Sequence, residues 1–537
     1  MCVKVLVAML AAAQLLAFCG GNGGESSSSA SSSTGTTSSA STGETEAMYP
    51  IPGNPKLTIA KVGDISPSEA GYTSYSETPG FKAWQEQTGV TAEIVEPADS
   101  AAILLMLSSD SMPDIVCMNK NIYPGGTMKM VEDGLAINLS EHMDDWCPDY
   151  KALLESSDQY KIAATEVDGN VYTFEGYGFE LNSPYRSWQG MVARQEYLDQ
   201  LNMEVPTTVD EFYDFLKAMK DQLGVETPLI GETWCMNNAF SKGYLTSPFG
   251  LPTTDRYHDG DTVKWGAYQP EYKDFREFMN KLYTEKLMDN NYAATDGPTI
   301  QATFVQGNAG VIVASASKLS ILKNAADNAD DFDLVAIPNI VKEKGDRPMY
   351  GLSDPYFSTN YTTYVTGDCK NPEAAVKFLN YLHTEAGSML YNFGIGGESY
   401  EMVDGKPVLT DLITKNSEYS LDQMLRVYGL TNWPGIQKIE MSEQRFPLES
   451  QRHAYEVWSD TDVDKYQIVN ASILPDLNDE YAALYADVST FMSENTAKFI
   501  AGTQPLSEFD SYMDTLKSMG MDRLMEIIQQ SYDAYNK

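Results

Sequence analysis

Short runs with apolar side chains at alternate positions recur along the first part of the chain, separated by stretches in which apolar residues return every three or four positions. Leu57-Thr58-Ile59-Ala60-Lys61-Val62 predicts a strand ending at Gly63-Asp64, Phe81 to Gly89 a helix stopped by its glycine, and Val90 to Val95 the next strand. Ile103 to Leu107 continues helically, and Pro113-Asp114-Ile115-Val116-Cys117-Met118 reads as a buried strand entering a loop. Strands alternating with amphipathic helices predict an α/β fold. Between Val205 and Lys220, Thr208 and Glu211 fit a capping box, while Val209, Phe212, Leu216 and Met219 recur at helical spacing. Asn371-Pro372-Glu373 opens another helix, with Asn as N-cap and Pro at the first helical position. Near the end, Ser507 is expected to cap a helix carrying Phe509, Met513, Leu516 and Met519, stopped at Gly520, and a last helix runs from Asp522 to about Tyr535.

Composition narrows the function. The 537 residues carry 37 Lys and Arg against 76 Asp and Glu, a net charge of −39. A surface this anionic repels phosphate backbones, so nucleic acid is excluded as a partner. With 42% hydrophobic residues the chain has material for large cores, more than one domain of them by length. The six cysteines, without C-x-x-C spacing, give no disulfide framework, and the four scattered histidines give no zinc motif, so no metal or other cofactor is expected.

The N-terminus reads as an address. Residues 3–18 form an apolar run too short to span a bilayer, the signature of a secretory signal. Leu16-Ala17-Phe18-Cys19 resembles a bacterial lipobox, which implies a lipidated Cys19 as the first mature residue; an ordinary secretory peptide cut nearby is the other reading. A Ser/Thr/Gly tract from Ser26 to Thr45 cannot bury a core and behaves as a flexible leash. The expected layout is signal 1–18, lipidated tether 19–54, then a body held at the outer face of the bacterial membrane.

Several segments of that body carry a family likeness: Met112-Pro113-Asp114-Ile115-Val116, Asp168-Gly169-Asn170-Val171-Tyr172, Phe304-Val305-Gln306-Gly307-Asn308-Ala309-Gly310-Val311, the stretch from Asn371 through Phe378 to Glu385-Ala386-Gly387, and Tyr391-Asn392-Phe393-Gly394-Ile395-Gly396-Gly397. In these the chain resembles the extracellular solute-binding proteins (family 1 type) of carbohydrate ABC importers, in particular the large Gram-positive lipoprotein subgroup, over roughly residues 55–537. The resemblance implies a two-lobe, periplasmic-binding-protein-like (type II) fold, with hinge-linked mixed sheets flanked by helices and the ligand between the lobes. It places lobe 1 at 55–180 plus about 338–396 and lobe 2 at about 181–337 plus 397–537, with crossings near Tyr172 to Arg194, near Ile337 to Gly351 and after Gly396. It also implies a monomer that captures an oligosaccharide and delivers it to ABC permease subunits in the membrane, with no chemistry done.

A sugar site wants flat aromatic faces together with carboxylates, amides or guanidinium groups. Ligands in α/β bodies meet the loops at the carboxyl ends of strands. Asp64, Asn119 and Lys120 stand at such ends, whereas Met118 and Trp84 read as core. Tyr177, Arg186 and Trp188 lie in the punctuated segment EGYGFELNSPYRSWQG, Trp234 and Asn237 in GETWCMNN, and Tyr356 and Trp433 in the loops LSDPYFS and GLTNWPG. After FVQGNAGV, where the family often carries a stacking aromatic, this chain has Ala314-Ser315-Ala316-Ser317. No platform is expected there, which keeps a peptide or other small polar solute open as ligand. A surface glycosidase is an alternative because carboxylate pairs are invisible in sequence. So is an adhesive lipoprotein holding calcium on Asp460-Thr461-Asp462-Val463-Asp464 or Asp327 to Asp333, although neither run has the pattern of a full EF-hand loop.

Overall fold

Residues 48–62, 70–109, 112–329 and 331–537 are described by the computed structural model, so Cys19, the tether tract and Asp64 lie outside the described residues. Met48–Lys537 forms one compact unit, built as two lobes around two four-stranded mixed sheets. In the first sheet Lys56–Lys61 sits between Thr91–Val95 and Ile115–Met118, parallel to both, and Thr362–Val365 closes the edge antiparallel. In the second, Gln189–Arg194 lies antiparallel to both Leu334–Ile337 and Val311–Ser315, and Leu229–Gly231 adds on in parallel. In the first sheet the strand Thr362–Val365 returns after the chain has built the second sheet, and this stitches the lobes together.

Local signals placed most helices. Pro79–Thr88 is capped by Thr78, whose hydroxyl accepts from Phe81 N, and ends at Gly89 with φ 71°. Val209–Leu223 carries the Thr208/Glu211 capping box and ends at Gly224 with φ 72°; Pro372–Asn380 is capped by Asn371. One cap differs from expectation. Ser507 sits inside the short turn Leu506–Glu508, and the helix Phe509–Ser518 begins after it with no side-chain cap, because the turn itself satisfies the first amides.

The first lobe's core gathers Ile59, Phe81, Trp84, Ile115, Phe174, Phe378 and Trp433. Trp84 stacks on Phe378 with ring centroids 3.9 Å apart, and its Nε1 donates to Phe378 O. The second lobe buries Phe212, Phe275, Val313, Phe499 and Tyr512 on one side of its sheet, and Val192, Ile312, Leu319 and Trp458 on the other. Gly190 makes the second layer feasible: a Cβ there would stand 2.3 Å from Trp458 Nε1, so only glycine lets the indole lie on the strand. The C-terminal helices Asn478–Ala501, Phe509–Ser518 and Met521–Tyr535 pack on this second core. Among the described residues no helix is long and apolar enough to cross a membrane.

Three segments pass between the cores. The first runs through Tyr177–Phe179 to Gln189; the second leaves Ile340 in the second core and reaches Tyr356 and Phe357 in the first. The third differs from expectation. The chain does not leave the first lobe after Gly396: Leu430 and Trp433 belong to the first core, and Leu409, Met424 and Leu425 form a satellite cluster with Phe393. Passage comes between Trp433 and Phe446, through Gly435–Gln437, which pairs in parallel with Tyr177–Phe179. The reason is burial: Leu409, Ile413, Met424 and Leu425 are covered by Phe393, and Leu430 and Trp433 by the first core.

Candidate ligand-binding cleft

Where the crossing segments meet, a cleft of about 400 Å³ opens between the lobes. The first lobe supplies Asn360, Tyr361, Thr431 and Asn432; the second supplies Tyr185, Trp188, Ser315, Ser317, Phe446 and Tyr455. Tyr361 has φ 62°, a left-handed backbone that costs a non-glycine residue roughly 1–2 kcal/mol. The preceding Asn360 O lies so close to Gly176 that a Cβ there would stand 1.9 Å away.

The second-lobe wall is aromatic. Trp188 donates from Nε1 to Asp354 Oδ1 at 2.9 Å, and its ring stacks on Trp234 with centroids 5.8 Å apart and planes 30° from parallel. Trp234 is 45% exposed, and its own Nε1 donates to Glu232 Oε2 at 2.9 Å. Tyr185, Phe446 and Tyr455 form a second aromatic corner, with centroid distances of 4.8 to 5.8 Å. Beside them the Ser315 and Ser317 hydroxyls lie 2.9 Å apart. The stretch Ala314 to Ser317 thus lacks a platform, as its sequence says, and the neighbouring strand and helix provide flat faces instead.

Charge enters at two places. Arg445 makes a fork on Asp422, Nε to Oδ1 at 2.6 Å and Nη2 to Oδ2 at 3.0 Å. Burial works against the Asp422 charge, but the guanidinium overrides it and holds the carboxyl below its usual range. Asp354 is pushed up to about 6 by burial, with the Trp188 N–H and Arg186 opposing. The cleft therefore presents fixed hydrogen-bonding groups beside bare aromatic faces, a set that binds polyhydroxylated molecules.

Of the residues singled out from sequence, the structure brings Tyr177 and Trp188 into this wall and stacks Trp234 on the latter. Asn119 touches it only through Asn360, Nδ2 to Oδ1 at 2.6 Å. The others lie elsewhere. Arg186, 4% exposed, lies under the Tyr356 ring at 3.9 Å. It donates from Nε to Asp354 O at 2.8 Å and from Nη2 to Gln467 Oε1 at 2.7 Å, and pairs with Asp464 at 3.3 Å. Arg186 and Tyr356 therefore staple the hinge rather than face a ligand. Trp433 is 1% exposed, packed against Phe81 and Trp84 as core. Lys120 is buried between Glu166 at 3.1 Å and Glu175 at 3.3 Å and lines a different cavity of about 630 Å³. Asn237 is exposed on the helix Thr233–Ala239 and borders a third cavity. The acidic run at Asp460 to Asp464 is engaged by cations of the chain: Arg347 pairs with Asp460 and Asp462 at 2.8 Å.

Sequence reasoning missed Asp354, Tyr361, Asn432 and the Asp422–Arg445 pair. Asp354 had a signal, since it is two residues from Tyr356 in the punctuated loop LSDPYFS. Asp422 and Arg445 had none, because each sits on an ordinary amphipathic helix.

Residues 66–389 match the family model for bacterial extracellular solute-binding protein. The chain belongs to that family. This solute-binding protein is 25% identical over 85% of its chain to Lipoprotein LipO of Bacillus subtilis (strain 168), covering 89% of that relative. It is 23% identical over 79% of its chain to the polygalacturonan/rhamnogalacturonan-binding protein YtcQ of the same organism, covering 82% of it. Among solved structures, an HMO-binding ABC-transporter-associated solute-binding protein from Bifidobacterium longum infantis ATCC 15697 superposes with a TM-score of 0.70 at 19% identity. That match covers 90% of the solute-binding protein and 100% of the other chain, and it establishes the two-lobe fold.

Proposed function

We propose that the cleft captures an oligosaccharide outside the cell, holds it unreacted between the two lobes, and that the closed form is what ABC permease subunits in the membrane engage. The observation that carries this reading is the Trp188–Trp234 pair beside a polar wall of amides and a fixed ion pair. Aromatic faces take the C–H side of a sugar, and planar amides and carboxylates take its hydroxyls. The names of YtcQ and of the Bifidobacterium protein support the same ligand class, and that of LipO supports a lipid anchor at Cys19. The working form is a monomer without a cofactor. Contacts from both lobes favour the closed state, so occupancy is read as shape.

Asp354, pushed up to about 6, and Asp422, held below its usual range, line the same cleft, and this favours a glycosidase as second reading, since carboxyls of separated acidity can divide acid and base roles. Both are already engaged, Asp354 by Trp188 and Asp422 by Arg445, which favours a positioning role.

The test is a screen of the purified protein against a glycan array, followed by melting and small-angle scattering with each ligand found. An oligosaccharide that raises the melting temperature, reduces the radius of gyration and is recovered intact supports the proposal. A broad panel that changes neither, or one that is cleaved with turnover, overturns it.

A further inference from the structure

A cavity of about 380 Å³ opens within the second lobe, among side chains of the helices Thr233–Ala239, Tyr272–Thr284 and Asn478–Ala501. Arg276 is part of its lining, and it is 1% exposed. Its Nε and Nη1 are buried with no hydrogen-bond partner, and among the described residues no carboxylate pairs with it. The rings of Tyr272 at 4.3 Å and Phe275 at 4.7 Å lie against its guanidinium. Ring faces offset part of the hydration lost by a buried cation but offer no acceptor to its five N–H groups. A guanidinium left in this state is costly unless something else brings the acceptors.

The rest of the wall suits that arrival. Asn237, Thr254, Ser489 and Ser493 add an amide and hydroxyls. Asp255 is also in the wall; burial opposes its charge, but Lys242 at 3.3 Å and Arg256 hold its carboxyl below the usual range. That acid is more than balanced by its own two cations, so it does not compensate Arg276.

We propose that this cavity binds the carboxylate of a small anionic ligand, with Arg276 as its counter-charge and fork-shaped donor. A planar carboxylate matches the guanidinium in both geometry and unit charge. The carboxylate can belong to a uronic acid or to a simple organic acid, and the site lies outside the cleft proposed for neutral sugar contacts.

The full chain is titrated by calorimetry at constant ionic strength with acetate, galacturonate, galactose and inorganic phosphate, and Arg276→Met and Arg276→Lys are titrated in parallel. Saturable binding of the carboxylates and not of galactose is expected, weakened at least tenfold in Arg276→Met and less in Arg276→Lys. Tighter binding of galacturonate than of acetate assigns the site to a sugar acid, and equal binding to the carboxylate alone. In carboxylate-free buffer Arg276→Met should melt no lower than the parent, because it loses a charge without orphaning a partner; glycan binding in the inter-lobe cleft should not change. The proposal is overturned by no saturable carboxylate binding, by binding unchanged in Arg276→Met, or by phosphate bound more tightly than carboxylate. A lowered melting temperature in Arg276→Met that Arg276→Lys restores also overturns it, since it would mark a structural cation satisfied by buried water.

Discussion

Trp188 Nε1 and Asp354 Oδ1 are 2.9 Å apart, and this bond joins two of the three segments that pass between the lobes. The Asp354 backbone closes the same junction, its N donating to Arg186 O at 3.0 Å and its O accepting from Arg186 Nε at 2.8 Å. The group that orients a cleft-lining aromatic ring is thus also a hinge group. Rotation at the hinge and placement of the ring are mechanically coupled.

Asp354 gives the hinge a pH dependence. Burial pushes it up to about 6, against about 3.9 in an unfolded chain. Between those values the folded state binds the proton more tightly, so the contribution is fully present below the lower value and is lost as pH rises through the upper one. Thermal melts from about pH 4 to about pH 7 should show Asp354→Asn with a flatter loss of stability than the parent. Parallel curves would remove Asp354 from this account.

Trp234 is half exposed and stacked on Trp188, so Trp234→Ala should lower folding stability by only about 0.5–1.5 kcal/mol. An aromatic contact contributes about 0.5–1.5 kcal/mol beyond burial, so affinity for a bound oligosaccharide should fall roughly 2- to 12-fold. Trp188→Ala should lose more affinity and also melt lower, because it releases Asp354. Calorimetric titration alongside melting separates the two.

Arg186→Met removes hydrogen bonds to Asp354 O and Gln467 and the stack on Tyr356. Hydrogen bonds from a charged group contribute about 1.5–3 kcal/mol each, so a loss of about 2 kcal/mol or more is expected in chemical denaturation. Arg186→Lys should recover little, since an ammonium cannot make the fork. Ligand-induced compaction in scattering should become smaller or be lost.

Lys120 compensates two buried carboxylates, Glu166 and Glu175. Lys120→Met should destabilise by about 3–5 kcal/mol by leaving them unpaired, and adding Glu166→Gln and Glu175→Gln should restore much of that. Glycan affinity of the folded fraction should be unchanged, because Lys120 lines a cavity other than the inter-lobe cleft. A selective loss of affinity would return Lys120 to the ligand site.

Sequence periodicity was enough for the α/β class, for the strands around Ile59 and Ile115 and for the capped helices at Thr208 and Asn371, since caps and amphipathic spacing act within a few residues of themselves. The family segments added the two-lobe plan. Loop position could not separate Trp188 from Trp433: both sit among Gly, Pro and polar residues, yet one lines the cleft and the other is sealed beneath Trp84.

The chain's local order therefore determined which elements form and what chemistry it carries: many aromatics, many acids, few cations. Tertiary structure alone decided which of those groups share a cavity. Tyr177, Asp354 and Arg445 come from three separate crossings, and their proximity depends on long-range burial, which seals Leu430 and Trp433 into the first lobe and, among the described residues, leaves Arg276 without a carboxylate in the second. Side-chain contacts across hundreds of residues follow from how the apolar surfaces fit together, and no local pattern encodes that fit.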